Sequence, residues 1–221
     1  MKHKLLELYM TRKQDFLKVR DQFLDEDMAG PFLMSPNETY NKQENPLLII
    51  GQETKGWHYY DNDYEKQMLE YENFNVGIDY FSSPFWNVIR KTEKAIGNEP
   101  YSSAWSNVSK FDLNEGRSFG EAEIAISSLD DILLHEIGIV QPKVCIFFTG
   151  PDFDWRIRKI FKGIKFLEIE NHELRAFSQL KHLDLPEMSF RSYHPNYLRR
   201  SGTEKDFLKF VEDKFKTIRK E

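Results

Sequence analysis

The stretch MSFRSYHPNYLRR, from 188 to 200, carries side chains that suit chemistry on a small planar ligand. A β-prone run ends there at His194-Pro195, and proline both stops a strand and fixes the turn that follows. The histidine is therefore expected at the mouth of a loop, where a neutral imidazole can donate to a developing anion. Two bulky side chains and two cations come next, namely Tyr197, Leu198, Arg199 and Arg200. This order predicts a site that polarises a small planar ligand, inserts bulky side chains between neighbouring groups of the partner and binds phosphates.

A second polar stretch follows the apolar run 47–50 and begins Gly51-Gln52-Glu53. Gly51 permits a tight turn and a close approach of the backbone to a ligand. The Glu53 carboxylate could orient a water, and Gln52 could hydrogen-bond a base or a carbonyl. The alternative is an ordinary βα turn with solvated charges. The stretch is not a phosphate-binding P-loop, because no Gly-Lys-Ser/Thr closes it.

A third polar stretch contains Asn107 and Lys110 and follows a predicted strand. The amide of Asn107 offers a donor and an acceptor side by side, which suits the edge of a pyrimidine. Lys110 would suit a phosphate. The alternative is that Asn107 only caps a turn.

Strand and helix patterns alternate along the chain. Apolar spacing and helix-end signals predict helices over 2–27, 84–96, 121–137, 155–161 and 204–220. Short apolar or β-prone runs predict strands over 47–50, 103–108, 144–149, 164–169 and 188–193. This alternation predicts an α/β fold with a mostly parallel sheet and helices on both faces. Ligands of such sheets bind beyond the carboxyl ends of the strands, where all three polar stretches are expected.

Composition limits the classes of protein to consider. Hydrophobic residues make up 40% and aromatic residues 14% of the chain, enough for a sizeable core. The single Cys145 excludes an intrachain disulfide and a thiolate metal cluster, and no metal or other cofactor is predicted. No apolar stretch approaches membrane-spanning length, and the N-terminus lacks the apolar core of a signal peptide. A soluble, reducing, cytoplasmic setting is therefore expected.

Charge is unevenly distributed. The net charge of −5 argues against a general nucleic-acid coat protein. Residues 191–221 nevertheless hold nine Lys/Arg against five Asp/Glu. Local patches of this kind matter more than the total charge for docking a polyanion, although a Lys-rich terminal helix is often only a solvated face.

The motifs together resemble the uracil-DNA glycosylase superfamily, from about residue 46 to the end. The closest branch is the iron–sulfur bacterial and archaeal one, although the cluster cysteines are absent. The first 45 residues fall outside the match. The segments that carry the resemblance are Gly51-Gln52-Glu53, Asn107-Val108-Ser109-Lys110, PKVCIFFTG (142–150) and His194-Pro195-Asn196-Tyr197-Leu198-Arg199-Arg200.

The resemblance implies a three-layer α/β/α sandwich and a DNA substrate. The reaction implied is hydrolysis of the N-glycosidic bond of a flipped-out deaminated or damaged base. A single domain is expected, with an N-terminal helix and loop (1–45) packed on a uracil-DNA glycosylase-like region (46–221).

The resemblance also implies roles for individual residues. Glu53 would position the water, and Gln52 occupies the place of the acid in the iron–sulfur branch. His194 would stabilise the departing base. The base would be held by Gly51, Asn107 and an aromatic ring, either Phe81 or Phe85. Tyr197 and Leu198 would fill the vacated stack, and the phosphates would be held by Lys110, Arg199 and Arg200.

Two other readings of the same residues remain open. The chain could be a nucleotide- or nucleic-acid-binding protein without catalysis, because Gln52 and the missing proline after Glu53 alter the first motif. It could also be a small-molecule hydrolase that uses Glu53 and His194 as an acid–base pair.

Overall fold

The structure is a computed structural model that describes residues 1–80 and 82–218. The strands are β1 (Met28–Ala29), β2 (Leu47–Gly51), β3 (Ala104–Asn107), β4 (Asp112–Leu113), β5 (Val144–Phe147), β6 (Lys165–Glu168), β7 (Phe177–Lys181) and β8 (Met188–Ser192). The helices are α1 (Lys2–Thr11), α2 (Lys13–Arg20), α3 (Glu38–Lys42), α4 (Tyr64–Phe74), α5 (Pro84–Ile96), α6 (Glu121–Ile126), α7 (Asp131–Val140), α8 (Asp154–Ile160), α9 (Pro195–Ser201) and α10 (Glu204–Ile218).

Six strands form one mixed sheet in the order β3-β2-β5-β8-β7-β6. The first four run parallel, and β7 and β6 pair antiparallel at one edge. Every residue of β2, β3 and β5 is buried, as expected for strands covered on both faces. A two-stranded ribbon of β1 and β4 lies apart from this sheet. The predicted α/β class with a mostly parallel sheet is confirmed.

Helices cover both faces of the sheet. On one face, the ring of Phe210 in α10 lies 5.5 Å from that of Phe190. On the other, Phe161 at the end of α8 lies 6.1 Å from Phe147. Phe147 pairs in register with Arg191, the neighbour of Phe190, and successive strand residues point to opposite faces. The sheet is therefore the middle of three layers.

Two helices that the sequence predicted as continuous are each broken in two. The 121–137 helix is interrupted by a 3₁₀ turn at Ser127–Leu129 and continues to Val140, and Ile124 is 68% exposed. Ser127 and Ser128 each donate from their hydroxyl to a carbonyl three residues earlier, which competes with regular helix bonding. The predicted 2–27 helix is two helices, α1 and α2, and the second ends at Arg20. Leu24 lies beyond that end and is 67% exposed.

The first 45 residues belong to the same hydrophobic core as the sheet. Leu5, Tyr9, Phe16 and Phe32 have no exposed surface. Helix α1 contacts α4 and α7, and the Tyr9 hydroxyl donates to Glu136 at 2.8 Å. Along the part of the chain that the structure describes, no helix combines the length and apolar character needed to cross a membrane.

Candidate functional site

A cavity of about 440 Å³ lies at the carboxyl ends of β2 and β3. Glu53, Asn107 and His194 line it together, although they are far apart in sequence. The carboxyl ends of parallel strands share one edge of the sheet, and β2 pairs directly with β3. The convergence of these three residues, predicted from the order of strands and loops, is therefore confirmed. Aromatic rings form much of the remaining wall, namely Trp57, Phe74, Tyr80, Phe85, Trp86 and Trp105.

The amide of Asn107 is held in one orientation. Its Oδ1 accepts a hydrogen bond from Trp105 Nε1 at 3.1 Å. An indole N–H can only donate, so the amide oxygen must face it. Asn107 Nδ2 is then left buried, with no hydrogen-bond partner among the described residues. A buried unpaired donor is costly, so this amide is preset to donate to a ligand acceptor.

Gly51 allows Asn107 to occupy this position. A Cβ placed on Gly51 would lie 2.3 Å from Asn107 Oδ1, closer than any real contact. Gly51 and Asn107 are paired in register on neighbouring parallel strands. Any larger residue at 51 would therefore displace the amide.

His194 is the N-cap of α9 and is held as a neutral donor. Its Nδ1 accepts from the backbone N–H of Asn196 at 3.3 Å, which leaves the proton on Nε2. Burial lowers the pKa of His194 to about 4. None of the described residues accepts a hydrogen bond from Nε2. The imidazole is therefore neutral at pH 7 with an N–H available to a ligand.

Glu53 is partly buried and lacks a complete set of partners. Its Oε2 is buried and accepts no hydrogen bond from a described residue. Burial raises the pKa of Glu53 to about 7, while the charges of Arg117 and Arg156 act in the opposite direction. A carboxyl group with this pKa is suited to exchange a proton near neutral pH.

Asp112 holds the loop that carries Glu53 to Trp57, and the sequence did not single it out. Its carboxylate accepts from the Thr54 hydroxyl and from the backbone N–H groups of Gly56 (3.1 Å) and Trp57 (3.3 Å). Asp112 has no exposed surface. This buried acceptor therefore fixes the shape of one side of the cavity.

The aromatic wall includes one predicted residue and several that were not predicted. Phe85 lies on the first turn of α5, with its ring 5.4 Å from that of His194. Phe81, the other ring predicted to stack on a base, lies outside the described residues. Trp105 contacts Trp86 and Trp57 at 5.0 and 5.5 Å. The place of Trp105 in the cavity wall could have been predicted from the sequence. It lies two residues before Asn107, and residues two apart on a strand share a face.

The prediction that Lys110 contacts phosphate is wrong. Lys110 has no exposed surface, and its Nζ lies 2.7 Å from Glu136 Oε2 and 2.9 Å from Ser106 Oγ. A phosphate could reach it only by opening the core. Lys110 is instead the buried counterion of Glu136.

The prediction that Leu198 fills a vacated base stack is also wrong for this conformation. Leu198 is 3% exposed, because α9 turns its side chain into the core. Tyr197 is 41% exposed and packs on Tyr193 at 4.4 Å. Arg199 and Arg200 are both exposed, and Arg200 lies 5.3 Å from the Tyr197 ring. Of the four residues 197–200, Tyr197 and the two arginines are exposed and can contact a partner.

Gln52 lines the cavity, but its amide is engaged. Nε2 donates to the backbone carbonyl of Thr149 at 2.6 Å, across the gap between the ends of β2 and β5. This bond links two strand ends and uses one of the two N–H donors of the amide. Lys55, in the same loop, is an exposed cation at the cavity wall.

Two comparisons with known proteins found no relative. Scans of protein-family models find no match, and no curated protein is significantly similar to the chain. Within residues 1–80 and 82–218, no three His, Cys, Asp or Glu side chains are grouped so as to hold a metal ion.

Proposed function

We propose that this protein hydrolyses the N-glycosidic bond of a flipped-out deaminated or damaged base in DNA, with a uracil-DNA glycosylase-like fold. The observation that carries the proposal is one aromatic cavity that holds an oriented Asn107 amide, a His194 imidazole whose Nδ1 is engaged, and a Glu53 carboxyl whose buried Oε2 has no partner among the described residues. A buried free thiol, Cys145, agrees with a reducing, cytoplasmic setting, which is part of the proposal.

Asn107 suits a base edge with a carbonyl next to an N–H. Its free Nδ2–H would donate to the carbonyl, and the second lone pair of Oδ1 would accept from the N–H. Uracil has such an edge. Cytosine instead presents an amino group to Nδ2, so two donors would face each other. This mismatch would disfavour cytosine, because a buried donor would stay unpaired.

His194 and Glu53 supply the two polar functions that hydrolysis requires. As the bond from C1′ to the base breaks, its electron pair moves onto the base, and His194 Nε2–H donates to the oxygen that gains charge. The ionised Glu53 takes a proton from the water whose oxygen bonds to C1′. Because the pKa of Glu53 is about 7, the rate is expected to rise with pH through 7.

Release of free uracil from a single-stranded oligonucleotide with one uracil tests the proposal directly. We expect release at pH 8, slower release at pH 6, and none from the matching cytosine oligonucleotide. His194→Ala should lower the rate by about 10²–10³, the usual effect of removing a donor to a developing anion. His3→Ala, at an exposed histidine on α1, is the matched control and should leave the rate unchanged.

Binding and catalysis are separated by a melting experiment. Free uracil should raise the melting temperature of the wild type, and Asn107→Ala should abolish this shift. If uracil causes no shift and no oligonucleotide loses its base at any pH, the proposal is wrong.

The second candidate is binding of a nucleobase without cleavage. The engaged Gln52 amide and the proton that Glu53 retains below pH 7 favour it. It predicts that uracil raises the melting temperature while no base is released even at pH 8. Measurable turnover would reject this candidate.

A further inference from the structure

A groove between α5 and α10 is lined by four lysines. Its volume is about 370 Å³, and its wall is completed by Ala95, Leu208 and Glu212. The lysines are Lys91 and Lys94 on α5 and Lys205 and Lys209 on α10. Two helices therefore turn like charges toward each other along one surface channel.

Three of these lysines make no ion pair with a described residue. Lys94, Lys205 and Lys209 have no carboxylate oxygen of a described residue within 4.0 Å. Glu212, which shares the groove, pairs with Lys216 at 2.6 Å instead. Four lysines share the groove with one carboxylate, so positive charge is in excess there and an anionic partner would be stabilised.

Helix α5 reaches from the cavity to the groove. Phe85, on the first turn of α5, lines the cavity, and Lys94 lies nine residues further along the same helix. The rise per residue of an α-helix makes that separation about 14 Å along the helix axis, and at 3.6 residues per turn the two side chains leave opposite sides of α5. A chain of ion pairs also joins α9 to the groove, because Glu204 contacts both Arg199 (3.6 Å) and Lys91 (2.5 Å).

We infer that this groove binds the sugar–phosphate backbone of the DNA strand on one side of the nucleotide whose base enters the cavity. The inference rests on the proposed function and adds a second contact region for the same substrate. At the rise of about 3.4 Å per nucleotide of duplex DNA, an axial distance of 14 Å corresponds to about four nucleotides. Lysines act as point charges without base readout, so the groove would bind any sequence.

An adjacent surface of α10 is less suitable for a polyanion. The cleft there is lined by three carboxylates, Glu170, Asp206 and Asp213, and by two lysines, Lys209 and Lys214. The groove, with four lysines and one carboxylate, is the better surface for phosphates.

Oligonucleotide binding tests the inference in a Glu53→Gln background, so that the substrate is not consumed. Three probes are compared: a uracil dinucleotide, the same extended by four nucleotides on the 3′ side, and the same extended on the 5′ side. We expect one extension alone to tighten binding. The gain should be lost in Lys94→Glu/Lys205→Glu/Lys209→Glu, and the slope of log K against log salt should fall in magnitude by about 2.

The matched control is Lys4→Glu/Lys18→Glu/Lys143→Glu, three exposed lysines away from the groove, which should retain the gain. If the groove variant melts early, the neutral variant Lys94→Gln/Lys205→Gln/Lys209→Gln replaces it and should still lose most of the gain. In both groove variants, free uracil should raise the melting temperature as in the parent protein. That readout keeps the cavity and the groove distinguishable.

Three outcomes would overturn the inference while the cavity still binds free uracil. They are no gain from either extension, a gain that survives in the groove variants, and equally tight binding of a poly-glutamate peptide of the same charge. The last would assign the groove to an acidic protein segment. Loss of all binding, free uracil included, would reject the proposed function together with the inference.

Discussion

Two carboxylates, Glu136 and Glu53, have different surroundings: Glu136 is fully buried, and Glu53 is partly buried. Both oxygens of Glu136 are bound: Oε1 accepts from the Tyr9 hydroxyl, and Oε2 accepts from Ser106 Oγ at 2.6 Å and from Lys110 Nζ at 2.7 Å. Glu53 has a buried oxygen with no partner among the described residues and lines a cavity.

The difference separates a structural role from a chemical one. A fully bound carboxylate next to a buried cation fixes the packing of the elements that meet on it, here α1, β3 and α7. A buried carboxylate without partners costs stability and is retained where a ligand or a reaction uses it.

The largest effect is expected from Lys110→Met. The substitution leaves Glu136 buried without its cation, which should lower the free energy of unfolding by about 3–5 kcal/mol. Urea unfolding at pH 7 measures the loss, and Lys4→Met at an exposed site should change stability by less than about 0.5 kcal/mol. Lys110→Met/Glu136→Leu should recover much of the loss. No recovery would mean that the pair does not act as a unit.

Glu53→Gln should instead raise the free energy of unfolding at pH 8. The folded-state pKa of about 7 lies above the ordinary value of 4.5, so the folded protein binds the proton more tightly than the unfolded chain. Stability then falls as pH rises from about 4.5 to 7, and the full cost is present above 7. At pH 8 the variant should be more stable than the wild type by roughly 1–3 kcal/mol, with little difference at pH 4. It should release no base.

Unfolding curves at pH 4, 6 and 8 check this sign. Glu44→Gln, at an exposed glutamate, is the matched control and should follow the wild type at each pH. A destabilised Glu53→Gln at pH 8 would mean that the carboxylate is bound in the folded protein. Glu53 would then be structural, like Glu136.

The sequence predicted the convergence of the cavity residues better than the partners of each residue. Glu53, Asn107 and His194 follow parallel strands, and the rule that such ends meet at one edge needs no tertiary detail. The burial of Lys110 was not predictable, because its partner Glu136 is 26 residues away on another element. Only the folded chain brings those two charges together.

Short elements were missed for a related reason. Strand β7 (Phe177–Lys181) has two core side chains, Phe177 and Leu180, among polar neighbours, which is too weak a pattern to read. Helix α9 was missed although Pro195 at its first turn and Gly202 after its last are ordinary helix-end signals. Reading α9 as a loop led directly to the wrong role for Leu198.

Asp112→Asn should have a moderate effect on stability and a specific one on the cavity. An amide nitrogen cannot accept the backbone N–H groups that now share both carboxylate oxygens, so at least one bond is lost. We expect a loss of about 1–3 kcal/mol and a smaller melting shift with free uracil. Asp25→Asn, at an exposed aspartate, should change neither. An unchanged uracil shift would show that the 53–57 loop keeps its shape without Asp112.

The smallest effect is expected from Tyr9→Phe. The Tyr9 hydroxyl donates to Glu136 and accepts from the backbone N–H of Met34 at 3.1 Å, so its removal should cost about 1 kcal/mol. Glu136 keeps Ser106 and Lys110, and for this reason the charge pair should survive. Base release should proceed at the wild-type rate, because the Glu136 network has no side chain in the cavity wall. A rate that falls as far as in Glu53→Gln would show that the two carboxylates are coupled, and that α1 contributes to catalysis as well as to the core.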